Sequence, residues 1–248
     1  MKKTNKLIRL LACAFVLSGL AGYTMADDTV YERQRNRLVD TIQADVRSTS
    51  HFLGKDELDE RVLQALRKVP RHEFVPEAQR PNAYLNRPLP IGYGQTISQP
   101  YIVAIMTDLL ELDENSSVLE IGTGSAYQAA ILAEVAGSVY TIEIIEALAE
   151  RAARDLKRLG YEKVHSRAGD GYYGWEEGAP FDAIMVTAAA SHIPPPLIKQ
   201  LKPGGRMIIP VGGRFTVQHL VLVNKDQQNR ITSRQLLPVR FVPLTGDR

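Results

Sequence analysis

Cysteine is almost absent. The 248 residues contain one, Cys13. A lone thiol cannot close an internal disulfide, build a Cys-rich zinc site or run Cys-x-x-Cys redox chemistry. Metal-ligand spacing is missing as well: the five histidines, His51, His72, His165, His192 and His219, are scattered along the chain. There is little excess charge of one sign. The formal net charge is +2, but of 30 basic residues four (Lys2, Lys3, Lys6, Arg9) precede the first acid, Asp27, leaving 26 against 28 acidic groups. The body of the chain therefore has no bulk electrostatic bias toward nucleic acid. With 44% apolar and 23% charged residues, the composition excludes intrinsic disorder, collagen-like repeats and a multi-span membrane protein.

The one long apolar run lies at the start. Met1 to Arg9 is basic, Leu10 to Gly22 is apolar apart from Ser18 and Gly19, and Thr24 and Ala26 place small residues just before Asp27-Asp28. A basic start, a short apolar centre and a small-residue cleavage site describe a secretory signal peptide over residues 1–26, and hence an exported, periplasmic protein. The run is shorter than the ~20 residues a membrane span needs, so no stable membrane insertion is expected after cleavage. The alternative is an uncleaved N-terminal tail on a cytoplasmic protein. Leu10-Leu11-Ala12-Cys13 resembles a lipobox, but too little apolar sequence precedes it and too much follows.

Residues 27–248 read as a single domain without internal repeat or linker. Within it, 27–110 forms N-terminal helices and a cover loop, and 111–248 forms a ligand-binding sheet. Helices are expected over 29–50 and 56–69. Residues 70–100, rich in Pro, Gly and Asn, read as a packed loop with little regular structure. A helix over 100–110 follows. Strands at 117–121, 139–143, 164–168, 181–186 and 207–211 then alternate with helices at 125–136, 145–159 and 195–201. Two further strands, 217–223 and 231–242, look antiparallel. The alternation predicts an α/β, doubly wound, Rossmann-like fold: a mostly parallel sheet with a C-terminal antiparallel edge and an N-terminal helical cap.

In such a sheet, ligands bind at the carboxyl ends of the strands. Three motifs fall there. Gly122-Thr123-Gly124-Ser125 follows the first strand and permits a tight turn and close approach of a ligand to the backbone. A dinucleotide fingerprint would need a third glycine where Tyr127 stands, and the loop lacks the Lys-Ser/Thr pair of a triphosphate loop. Glu143 ends the next strand, where a carboxylate can accept both hydroxyls of a ribose. Asp170, between Gly169 and Gly171, can reach an adenine amine. Together these describe a pocket for an adenosine without phosphates, and S-adenosylmethionine is the natural candidate. Tyr172, Tyr173 and Trp175 read as wall or core residues.

The sequence resembles the protein-L-isoaspartate O-methyltransferase family over nearly all of residues 30–245. The resemblance is carried by Val69-Pro70-Arg71, by the run Leu89 to Pro100 containing Gly94-Gln95-Thr96-Ile97-Ser98-Gln99, and by Val118 to Ser125. It continues in Gly169-Asp170-Gly171, Ala188-Ala189-Ala190, Leu201 to Arg206 and Phe241-Val242-Pro243-Leu244. It implies methyl transfer from S-adenosylmethionine to the free α-carboxyl of L-isoaspartyl residues, a first step in protein repair. By resemblance Ser98 is the active-site serine, with Gln95, Thr96 and Gln99 in the same cover loop. Glu143, Asp170 and Gly171 join the glycine loop at the cofactor, with Gln218 and Thr245 near it. The family's loop continues Gly-Ser-Gly-Tyr, whereas this chain has Gly124-Ser125-Ala126-Tyr127. If position 126 needs a positive φ, donor affinity suffers.

The chemistry asks for little. A carboxylate is already a nucleophile at neutral pH, so no general base is required and none is evident. Ser98 then positions one carboxylate oxygen, although a serine just before Pro100 could equally cap a helix. The expected partners are isoaspartyl-containing proteins and peptides, no metal, and no nucleic acid; the chain is expected to act as a monomer. The fourth strand end lacks the Asn/Asp-Pro-Pro-aromatic segment typical of base N-methylating enzymes. Two alternatives stand beside this reading: a methyltransferase of another carboxyl or small molecule, and a non-enzymatic binder of damaged protein.

Overall fold

The computed structural model describes residues 29–213 and 216–246. The signal-peptide reading of residues 1–26 lies outside them. No helix among the described residues is long and apolar enough to cross a membrane.

A helix, α1, covers 29–48, with Leu38, Val39, Ile42 and Val46 buried at helical spacing and charged residues facing out. A single turn, α2 (Ser50–Leu53), ends at Gly54 in the left-handed conformation. The next helix, α3 (Glu60–Lys68), starts later than the expected residue 56. Asp59 sets that start: its side chain caps the Arg61 amide at 2.8 Å, and its own amide donates to the Asp108 carboxylate at 2.6 Å.

Residues 70–100 are more regular than expected. Two 3-10 turns, Arg71–Phe74 and Glu77–Asn82, precede an antiparallel hairpin of β1 (Leu89–Gly92) and β2 (Gln95–Ile97). The short strands escaped the pattern because Gly92, Tyr93 and Gly94 all take positive φ, making a tight reversal where Pro and Gly suggest only a loop. Pro100 opens α4 (Pro100–Asp108) at the position where its missing N–H costs nothing.

The sheet follows the alternation closely. Strand β3 (Ser117–Ile121) leads to α5 (Tyr127–Val135), β4 (Ser138–Glu143) to α6 (Glu146–Arg158), and then β5 (Val164–Ala168) and β6 (Phe181–Val186) follow. After α7 (Pro195–Gln200) come β7 (Leu201–Val211), β8 (Gln218–Lys225) and β9 (Ile231–Val239). The order is β5-β4-β3-β6-β7-β8-β9, parallel as far as β7 and antiparallel beyond. Strand β7 begins at Leu201, earlier than expected. Leu201 pairs with Phe181, and the Pro203-Gly204-Gly205 segment is taken up as a bulge before Arg206 pairs with Ala183. Strand β9 stops at Val239 rather than 242. The chain then leaves the sheet, and Val242 and Leu244 bond instead to Ala189 at the end of β6.

Helix α5 is buried along nearly its whole length, which fits a helix packed between the sheet and the N-terminal helices. Helix α6 buries only Leu148, Ala149, Ala152 and Leu156. The aromatic trio divides: Trp175 packs edge-on against Tyr140, whereas Tyr173 is 54% exposed and belongs to neither wall nor core. The strand order reverses between β3 and β6, and the crevice above their carboxyl ends holds the site.

Candidate active site

The glycine loop is built at that reversal. Gly122 and Gly124 take φ of 97° and 54°, a region glycine enters without strain. A side chain at Gly122 would also collide with the hydroxyl of Thr187 at the end of β6. That hydroxyl lies 2.6 Å from the Gly122 carbonyl and 3.0 Å from that of Ile121. Ala126 follows with φ 68°, fully buried, at the start of α5. Position 126 does therefore need a positive φ, and alanine occupies it under strain.

Two carboxylates brace the loop. Glu143, nearly buried at the end of β4, accepts from the Gly124 amide at 2.8 Å and from the Ile145 amide at 2.9 Å. Glu120 lies wholly buried on β3. The Thr141 hydroxyl donates to its Oε2 at 2.6 Å, and the Thr123 hydroxyl of the loop sits 2.6 Å from that of Thr141. Burial pushes the Glu120 carboxyl up to about 8, partly offset by the Thr141 bond and reinforced by the charge of Glu143. Its Oε1 has no partner among the described residues.

One cavity gathers most of the expected site. Its wall holds Gly122, Thr123, Gly124 and Ser125, then Glu143 and Gly171, and from the other side Gln95, Thr96, Ser98 and Thr245. Asp170 stands beside Gly171 but not on the wall. Its Oδ1 accepts from the Tyr172 amide at 2.9 Å, while its buried Oδ2 has no partner among the described residues, with Gly246 packed against it. Gln218 is not brought to this cavity. Both ends of its amide are used on the Phe241 main chain, at 2.6 and 3.1 Å, so it anchors the C-terminal segment instead.

A second cleft, of about 570 Å³, adjoins the first and is lined by Asp45, Tyr101, Arg240 and Phe241 among others. Gln99 faces this cleft only. Thr96, Ser98, Thr187 and Val242 border both spaces and form the throat between them. Ser98 is not the helix cap: that position is Gln99, without a side-chain bond. The Ser98 hydroxyl makes no hydrogen bond within the described residues, whereas its carbonyl accepts from Arg71 at 2.8 Å.

Sequence reasoning missed Thr187 and the placement of the strap from Val242 to Leu244 at the site. The strand-end rule could have found Thr187, which directly follows β6. The resemblance quoted the segment Phe241 to Leu244, but nothing local showed that Val242 would pair with Ala189, 53 residues upstream.

The cavity suits an adenosine without phosphates. The Gly124 amide, which a phosphate would need, is already held by the Glu143 carboxylate, and that charge repels phosphate while favouring a cationic ligand. Glu143 can accept from a ribose diol, while Asp170 Oδ2 is buried beside Gly171 and off the cavity wall. These residues fit S-adenosylmethionine.

Comparison with known proteins agrees. A family model described as Protein-L-isoaspartate(D-aspartate) O-methyltransferase matches residues 53–248. Protein-L-isoaspartate O-methyltransferase 2 of Syntrophobacter fumaroxidans is 62% identical over 245 residues, covering 99% of this chain and 98% of that protein. A solved structure named protein-L-isoaspartate O-methyltransferase matches with TM-score 0.72 at 28% identity, over 84% of this chain and 66% of the other. A Plasmodium falciparum structure in complex with S-adenosyl-L-homocysteine shares the fold, with TM-score 0.69 at 24% identity over 85% of this chain and 98% of that one. The family model spans most of the chain and the Syntrophobacter relative matches it end to end, so the chain belongs to the protein-L-isoaspartate O-methyltransferase family.

Proposed function

We propose that this chain is a protein-L-isoaspartate O-methyltransferase, which transfers the methyl group of S-adenosylmethionine to the free α-carboxyl of L-isoaspartyl residues in damaged proteins. One observation carries the reading beyond family membership: a cavity suited to adenosine opens, through a throat bearing the Thr96 and Ser98 hydroxyls, into a cleft roomy enough for a peptide. The bound donor supplies a methyl on a sulfonium. Glu143 and the glycine loop would hold its ribose, and Gly171, with Asp170 beside it, would border its adenine. The incoming carboxylate is ionised at neutral pH and needs no base. The Ser98 hydroxyl donates to one carboxylate oxygen and leaves the other facing the donor cavity. Thr187 has its proton committed to main-chain carbonyls, so it shapes the throat without competing for the acceptor. The contribution of the chain is alignment and exclusion of water.

The test uses the chain from Asp27 onward, labelled donor, and one peptide in isoaspartyl and normal aspartyl forms. Base-labile methyl ester on the isoaspartyl form alone is expected. Ser98→Ala should lower kcat at least tenfold while leaving S-adenosylhomocysteine affinity within about twofold. Equal transfer to both peptides, or none to either, refutes the reading.

Residues 1–26 are proposed to direct export to the periplasm, with the mature protein a monomer. A mature N-terminus at Asp27 in the periplasmic fraction supports this; an intact Met1 start in the cytosol overturns it.

A further inference from the structure

Arg71 is fully buried, and it has no anion. It opens the first 3-10 turn with no exposed surface, and no carboxylate pairs with it among the described residues. Burial pulls its basicity down to about 10, yet it stays charged at neutral pH. Its Nη1 is buried without a partner among the described residues. An apolar side chain of similar volume would fill the space at lower cost, so the contacts the guanidinium does make bear on why a cation stands here.

Those contacts reach three separate segments. Nε donates to the Ala83 carbonyl at 2.9 Å, just past the second 3-10 turn. Nη2 donates to the Ser98 carbonyl at 2.8 Å, at the junction of β2 and α4. The guanidinium carbon lies 4.9 Å from the ring centroid of Tyr127, the first residue of α5 and part of the donor cavity wall. One rigid, planar group thus ties the acceptor-side serine to the helix that follows the glycine loop. A lysine keeps the charge but has no fixed fork to reach both carbonyls at once.

We propose that Arg71 is a positioning residue for methyl transfer: it holds the Ser98 main chain against the donor-side helix at Tyr127, so that the Ser98 hydroxyl stays at the throat between the two spaces. Fixing that carbonyl fixes the peptide plane, and with it the direction in which the serine side chain leaves the backbone. The inference rests on the role given to Ser98 above. Small displacements of such a group cost rate more than affinity.

The experiment is a double-mutant cycle of Arg71→Lys and Ser98→Ala, reading kcat and KM for the isoaspartyl peptide and the S-adenosylhomocysteine Kd, all well below each variant's Tm. Arg71→Lys is expected to lower kcat by about 10–100-fold, with the Kd within about threefold. The double variant should be no slower than Ser98→Ala alone, within about twofold, because the positioning has nothing left to position. A merely structural role lowers Tm and leaves kcat near wild type, or gives losses that multiply; either overturns the inference. A silent Ser98→Ala overturns the role of the serine itself, and this inference with it. A costly Ser98→Ala whose loss multiplies with that of Arg71→Lys overturns this inference alone. If Arg71→Lys does not fold, Tyr127→Leu removes the ring beneath the guanidinium and enters the same cycle. A kcat loss absorbed in Tyr127→Leu/Ser98→Ala supports the proposal, whereas a multiplied loss or no loss overturns it.

Discussion

Replacing Glu120 by glutamine should alter how stability depends on pH. The carboxyl is wholly buried and its ionisation is pushed from an ordinary 4.5 to about 8. Below the lower value, the folded and unfolded chains both hold the proton and nothing is lost. Between the two values the unfolded chain releases a proton that the folded chain keeps, so unfolding becomes easier by about 1.4 kcal/mol for each pH unit. Above about 8 the loss levels off, at about 5 kcal/mol in total. Near neutral pH, protonation already costs the fold about 3 kcal/mol. Glutamine has the same shape and does not titrate. Its carbonyl can accept from Thr141 as Oε2 now does, while its amide takes the unpartnered position of Oε1. The assay is urea unfolding of both proteins at about pH 5.5 and about pH 7.5, where comparison cancels the other titrating groups. The advantage of Glu120→Gln should grow by about 3 kcal/mol from the lower to the higher pH. Parallel stability curves would mean that Glu120 ionises normally in the fold, and would refute the reasoning.

Three further outcomes follow from the loop. Ala126→Gly relieves a left-handed alanine worth about 1–2 kcal/mol but gives up a buried methyl worth about 0.8 kcal/mol; a rise in Tm of at most about 4 °C is expected by calorimetry, and a fall would show that packing outweighs strain. Thr187→Val removes the donor to the Gly122 and Ile121 carbonyls and should weaken S-adenosylhomocysteine binding roughly tenfold by titration calorimetry, whereas Thr187→Ser should bind like wild type; a loss in Thr187→Ser alone would point to the methyl group instead. Glu143→Gln turns an amide toward the Gly124 or Ile145 N–H and removes a ribose acceptor, so the same measurement should show about 10–100-fold weaker binding.

The parallel strands were legible from their alternation with helices rather than from a common ending: Gly122 follows β3 and Glu143 ends β4, but Thr187 follows β6. Strands β3, β5 and β6 fall on the expected residues. Their order in the chain was enough to bring Gly122, Glu143 and Gly171 to one cavity. Features that depend on distant partners were not legible. The bulge at the start of β7 requires Phe181 opposite Leu201, and Pro203-Gly204-Gly205 by itself reads as a turn. The hairpin of β1 and β2 rests on positive φ at Tyr93, a residue with no local preference for it. Gln218 was carried to the cofactor by resemblance alone, and nothing in its own neighbourhood foretold that it would grip Phe241. Arg71 entered only as part of the Val69-Pro70-Arg71 segment of the resemblance, and its burial went unread because a sequence cannot show that three segments close over a side chain.

The strap from Val242 to Thr245 borders the throat and the donor cavity, yet it lies at the far end of the chain from the hairpin it faces. Most of the parallel strands pair through short crossovers, whereas the strap must find Ala189 and the hairpin across long stretches of chain. The sheet can therefore assemble before the throat does. Methyl transfer competence should arrive last, when the two ends of the domain meet, and in refolding it should trail the recovery of secondary structure.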